Sequence, residues 1–131
     1  MTFRFSKRSE HNLQGVHPDL MAVVRKALAL TTVDFMVTEG VRTKERQQEL
    51  VKRGASQTMN SLHLPQADGY AHAVDLAAWV GGVRWDWPLY HKIAEAMQLA
   101  AAELGIPIEW GGDWTSFKDG PHFQLPRGYR A

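Results

Sequence analysis

The spacing of apolar positions changes several times along this chain, and each change marks an element. Leu20, Val23, Val24, Ala27 and Leu28 recur at helical spacing and predict one buried stripe. His17-Pro18-Asp19 opens that helix, since proline is tolerated in a first turn. Val33 to Thr38 alternates as a strand and stops at Gly40. Thr43 to Arg53 is charged and rich in helix formers, with Gly54 as its terminator. Residues 54–72 follow no period and carry Pro65, Asp68 and Gly69 as breakers. An irregular loop of that length inside a compact domain is often functional. Ala73 to Val80 reads as a strand, Gly81-Gly82 as a hairpin turn and Val83 to Trp85 as the return. Pro88 starts the most regular helix, whose stripe is Leu89, Ile93, Ala96, Met97, Ala100, Ala101 and Leu104, and Gly105 with Pro107 ends it. Ile108 to Trp110 and His122 to Leu125 are short strands around a loop rich in Gly and Trp. Helices packed on a small, mainly antiparallel sheet predict an α+β fold.

Length and composition narrow the picture. The 131 residues suit a single domain over 1–131, with its core within about 16–125. No repeat, linker or low-complexity tract divides it. A net charge of +1 gives no basic footprint for nucleic acid and no polybasic membrane anchor. The first residues contain no apolar run of the secretory type, and nothing approaches the ~20 apolar residues that insert into a membrane. The absence of cysteine excludes disulfides, thiol nucleophiles and Cys-ligated zinc. A metal here must be held by His, Asp and Glu.

Six histidines stand at positions 11, 17, 63, 72, 91 and 122. A lone histidine is more often structural or superficial than a ligand. His11 lies in a polar segment, His17 at a helix start and His91 off the apolar stripe of its helix, so these three are read as structural. The others have more telling settings. His63 sits in the long loop. Asp75 lies inside an apolar strand, where a carboxylate is costly unless it is paired or binds a metal. His122 opens a strand. Two histidines and one carboxylate leave one position open on a tetrahedral zinc, which is the catalytic pattern. Spacing alone carries this weakly, because no His-Glu-x-x-His helix is present.

The ordered combination is more specific. Glu39-Gly-Val-Arg42-Thr, Ser61-Leu-His63, Gly69, Ala73-Val-Asp75, Trp110-Gly-Gly-Asp-Trp114 and Asp119-Gly-Pro-His122-Phe-Gln resemble one group of zinc peptidases. It contains D-alanyl-D-alanine carboxypeptidases and dipeptidases, and phage L-alanyl-D-glutamate endopeptidases. The resemblance runs from Val16 to Leu125 and is closest to the short endolysin-type endopeptidases. It implies Zn2+ held by His63, Asp75 and His122. It implies Asp119 as the catalytic carboxylate, Arg42 as a substrate or oxyanion contact and Ser61 in the substrate site. One departure matters: Leu64 to Tyr70 widens a usual gap, so that Asp75 stands twelve residues after His63. His72 is therefore a rival first ligand. Residues three apart in a strand point to opposite faces, so His72 and Asp75 converge only if the chain bends between them. That favours His63 and leaves His72 as a neighbour of the site or a substrate contact.

The implied chemistry is hydrolysis of the L-alanyl-D-glutamate bond of a peptidoglycan stem peptide. A carboxylate takes the proton of the attacking water and passes it to the leaving amine. Asp119 is the candidate, with Glu109 and Asp113 as alternatives. Without the resemblance, Asp119-Gly is equally a turn pair, and Arg42 a surface ion pair with Glu39 or Glu45. Trp79, Trp85 and Trp87 are expected to pack on the sheet, and Trp114 to line a groove. The same site on another bond would make a D-alanyl-D-alanine carboxypeptidase or dipeptidase. A wall-binding module without activity would be expected to have lost a ligand or the base. The resemblance further implies a monomeric phage or prophage endolysin made in the cytoplasm, which reaches the wall through a holin-type pore.

Overall fold

The computed structural model describes residues 3–56, 59–116 and 118–130. Its elements run α1 (Lys7–Leu13), α2 (Pro18–Leu30), β1 (Phe35–Glu39), α3 (Lys44–Lys52), β2 (Ala73–Trp79), β3 (Val83–Arg84), α4 (Trp87–Leu104), β4 (Glu109–Trp110) and β5 (His122–Gln124). Every strand pair is antiparallel. β2 is the hub, with β1 on one side, β5 and the short β3 on the other, and β4 beyond β5.

The two-residue period of β2 and β5 divides the molecule. Val74, Leu76, Ala78, Phe123 and Leu125 join a core with Phe35 and Val37 of β1 and the stripes of α2 and α4. Phe35 and Phe123 are among the largest fully buried side chains, and truncating such a residue to alanine typically costs about 3–5 kcal/mol. Asp75, His122 and Gln124 alternate with those core residues and emerge on the opposite face. One face of the sheet thus holds the fold together, and the other is free to carry chemistry.

The predicted helix ends are capped as their sequences suggest. Thr43 accepts the Arg46 N–H at 3.0 Å, and His17 Nδ1 accepts the Asp19 N–H at 3.0 Å. Gly105 closes α4 at φ 69°, a left-handed position that favours glycine.

Two features differ from expectation. The polar segment before His17 is a helix, α1, which shows no apolar stripe in sequence because it docks through hydrogen bonds. Ser9 Oγ accepts the Val37 N–H at 3.1 Å, and Asn12 Nδ2 donates to the Val37 carbonyl at 2.9 Å. These bonds cover the outer edge of β1, and Leu13 enters the core. The packed region therefore extends beyond the expected 16–125, and Tyr129 also lies against it. The second difference concerns Trp79, Trp85 and Trp87, which do not pack into the sheet: 47%, 54% and 42% of their surfaces are exposed. Trp79 ends β2, Trp85 follows β3 and Trp87 opens α4. Trp87 still meets Tyr90 and Trp110 through ring contacts.

Candidate active site

Asp75 and His122 face each other as register partners across β2 and β5, so their side chains project side by side from the open face. His63 reaches the same point from the long loop. Ser61 Oγ accepts the His63 N–H at 3.1 Å, Arg42 N–H donates to the His63 carbonyl at 2.9 Å, and His72 N–H donates to the Leu62 carbonyl at 2.8 Å. Leu62 is buried. These ties hold the loop against β2 even though the seven residues Leu64 to Tyr70 intervene. That insertion folds back on itself, with Gln66 N–H on the Tyr70 carbonyl and Gly69, at φ 85°, turning the chain.

The hydrogen bonds fix the protons of the site. His63 Nδ1 lies 2.9 Å from the Gly40 carbonyl, and a carbonyl only accepts, so Nδ1 carries the proton and Nε2 bears a lone pair. His122 Nε2 lies 2.8 Å from Gln124 Oε1, while Gln124 Nε2 donates to Glu109. That relay puts the His122 proton on Nε2 and the lone pair on Nδ1. Both lone pairs then face Asp75 Oδ1 at 3.3 Å each. Three acceptor atoms converge with no proton between them in these tautomers. Among the described residues His63 Nε2 is buried with no hydrogen-bond partner, a deficit of about 1–3 kcal/mol if left unmet. Ligands about 2.0–2.1 Å from a tetrahedral zinc stand roughly 3.3–3.4 Å apart, so the 3.3 Å separations fit a cation of that size.

The electrostatics agree. Burial tends to raise the pKa of Asp75, but the pull of the adjacent His122 and His63 rings on its charged form outweighs that and holds the carboxyl well below the usual range. Burial tends to lower His122, and the negative charge of Asp75 beside it outweighs that and raises its affinity for a proton. The site therefore attracts positive charge strongly.

The trio opens into a cleft also lined by Arg42, Asn60, Ser61, Trp114, Ser116, Asp119, Gln124 and Arg127. Asp119 is held by its backbone: its N–H donates to the Gly111 carbonyl at 3.0 Å, and its carbonyl accepts the His122 N–H at 3.2 Å. Its carboxyl is raised above the ordinary value, first by burial and then by the charge of Asp75. No hydrogen bond engages that carboxyl among the described residues. Trp114 lies with its ring 5.1 Å from that of His122.

Arg42 sits at the cleft wall with its guanidinium on Glu39 and Gln47. It makes the ion pair with Glu39 that its sequence neighbours offered, but in a mostly buried position rather than a superficial one. Of the alternative bases, Glu109 accepts from Gln124 and Asp113 is exposed, and neither lines the cleft.

His72 lies elsewhere. Its ring packs behind the loop with His17 and Asp68, its Nε2 2.7 Å from Asp68 Oδ2, and it lines a different hollow. It is neither a ligand of the trio nor in reach of a substrate in this cleft, because residue 72 precedes β2 on the side facing α2. His17, Asp68 and His72 also cluster within metal-ligand range. However, the Nδ1 lone pair of His17 is spent on the Asp19 N–H, so its Nε2 carries the proton and donates toward Asp68. The cluster is a clamp in which His72 is hydrogen-bonded to Asp68 and His17 lies 3.7 Å from the same carboxylate oxygen.

Gln124 closes the Asp119 motif in the sequence but was assigned no role there, and Arg127 was not singled out. Gln124 stands two residues after His122 on a strand, so period two alone puts it on the same face. Nothing comparable marks Arg127.

Comparisons with known proteins bear on this geometry. Residues 1–125 match the family described as phage L-alanyl-D-glutamate peptidase. The chain is 32% identical over 130 residues to an L-alanyl-D-glutamate peptidase of Escherichia phage T5, covering 98% of this chain and 93% of that one. It is 28% identical to the peptidoglycan L-alanyl-D-glutamate endopeptidase CwlK of Bacillus subtilis strain 168, over 93% of this chain and 84% of that one. Among solved structures, the L-Ala D-Glu endopeptidase ChiX of Serratia marcescens superposes with a TM-score of 0.86 at 52% identity, covering 95% and 90% of the two chains.

Proposed function

This chain belongs to the phage L-alanyl-D-glutamate peptidase family, and on that premise we propose that it is a zinc endopeptidase hydrolysing the L-alanyl-D-glutamate bond of peptidoglycan stem peptides. The observation that carries the reading is the convergence of His63 Nε2, His122 Nδ1 and Asp75 Oδ1 in an open cleft beside Asp119. His63, Asp75 and His122 would hold the ion. Bound zinc supplies a Lewis acid that acidifies water and polarises a carbonyl.

The chain's own residues do the rest. Asp119 takes the proton of the attacking water and delivers it to the departing D-glutamate nitrogen. Its raised pKa makes it a better acceptor for the proton of that water. Arg42 presents fixed positive charge at the cleft wall, oriented by Glu39 and Gln47, to the oxygen that becomes anionic. Ser61 acts through the peptide of His63, whose position it sets. Trp114 offers an apolar wall for the peptide. In the same reading the protein is a monomeric phage or prophage lysin that meets the wall by way of a holin-type pore. No helix among the described residues is long and apolar enough to cross a membrane.

The test combines metal and base. Chelation should abolish hydrolysis of purified peptidoglycan, and zinc should restore it. Asp119→Ala should lower turnover by about 10²–10⁴-fold while still binding one zinc per chain. Full activity after complete metal removal, or wild-type turnover by the Asp119 variant, would refute these assignments.

A further inference from the structure

A glutamate within a peptide always retains one free carboxylate, whichever of its two carboxyls carries the chain onward. A substrate cut at L-alanyl-D-glutamate therefore places a negative charge within one residue of the scissile bond. The cleft already contains two carboxylates, Asp75 and Asp119, so an acidic leaving residue needs a cation of its own. Two arginines line the cleft. Arg42 is committed to Glu39 and Gln47. Arg127 makes no ion pair or hydrogen bond through its side chain among the described residues.

The backbone presents Arg127 deliberately. It occupies the second position of the turn Pro126–Tyr129, closed by the Tyr129 N–H on the Pro126 carbonyl at 3.0 Å. Gly128 follows at φ 80°, as a type II turn requires. Both ends of the turn are anchored. Leu125 is buried and its N–H donates to the His72 carbonyl, while Tyr129 O–H donates to Asp19 at 2.7 Å. The Tyr129 ring packs on His17 and His72, so the His17–Asp68–His72 clamp braces this turn from behind. A long cationic side chain on a braced turn, exposed at the cleft and unspent on any partner, is suited to a ligand.

We propose that Arg127 is a specificity-determining residue that receives the free carboxylate of the D-glutamate, so that the enzyme prefers the acid to its primary amide. This rests on the reaction proposed above. The experiment compares two synthetic stem peptides, one with that carboxylate free and one with it converted to a primary amide, cleaved by the zinc-loaded full chain. Wild type should favour the acid. Arg127→Gln should raise KM for the acid by about tenfold with a smaller change in kcat, and should affect the amide less, so that the acid-to-amide ratio of kcat/KM falls toward one. Arg127→Lys should recover part of the preference. If wild type cleaves both peptides and Arg127→Gln leaves the ratio unchanged, the assignment is overturned while the reaction stands. If wild type cleaves neither, the reaction itself is wrong and the assignment falls with it.

Discussion

At the residue scale, the three ligand atoms depend on neighbours that fix where each proton lies. Gly40 does so for His63, and the Gln124–Glu109 relay does so for His122. Such outer partners commonly govern metal affinity by 10–100-fold. Gln124→Leu preserves bulk but removes the acceptor for His122 Nε2–H. Zinc affinity, measured by competition with a chromophoric chelator, should fall by about 10–100-fold. Unchanged affinity would mean that the relay does not orient the ring. Much of the trio was legible in sequence for physical reasons. Asp75 stands out because a carboxylate between Val74 and Leu76 needs a partner, and His122 because it opens an apolar strand. Gln124 was within reach of the same period-two reasoning. Arg127 was not, because the turn that aims it depends on Tyr129 reaching Asp19, 110 positions away in sequence.

At the element scale, strands and amphipathic helices were read closely, since each has a period that burial enforces. The helix Lys7–Leu13 was not, because Ser9 and Asn12 dock it to β1 by hydrogen bonds, and hydrogen-bonded docking leaves no apolar stripe. The loop of residues 54–72 showed its irregularity in sequence but not its path, which is set by contacts with Arg42, Ser61 and Gly15. The segment between β4 and β5 has its own constraint. A Cβ on Gly111 would stand 2.4 Å from the Asp119 carbonyl oxygen and 3.1 Å from the Cβ atoms of Asp119 and His122. Gly111→Ala must therefore push the base away from the trio. Misplacement by about 1 Å can cost on the order of 10²-fold in rate, and turnover should fall by that order while circular dichroism still reports a folded chain. A variant with wild-type turnover would show that the position of Asp119 is not held by this contact.

At the scale of the whole molecule, the sheet separates stability from chemistry. Its inner face is a core shared with α2 and α4, and its outer face gathers His63, Asp75 and His122 from three well-separated stretches of chain. The α+β architecture was predictable from the order of elements. The cleft required the full fold, because its walls come from α3, the long loop, the Gly111–Asp119 segment and the turn after β5. The central claim is that this cleft cuts one particular bond, and the most direct test is mass spectrometry of peptidoglycan digested by the zinc-loaded protein. The expected result is stem peptides that begin with a newly exposed D-glutamate amine, leaving L-alanine as a new carboxyl terminus on the glycan. Release of D-alanine, a cut between the D-alanines, or an undigested wall would contradict it.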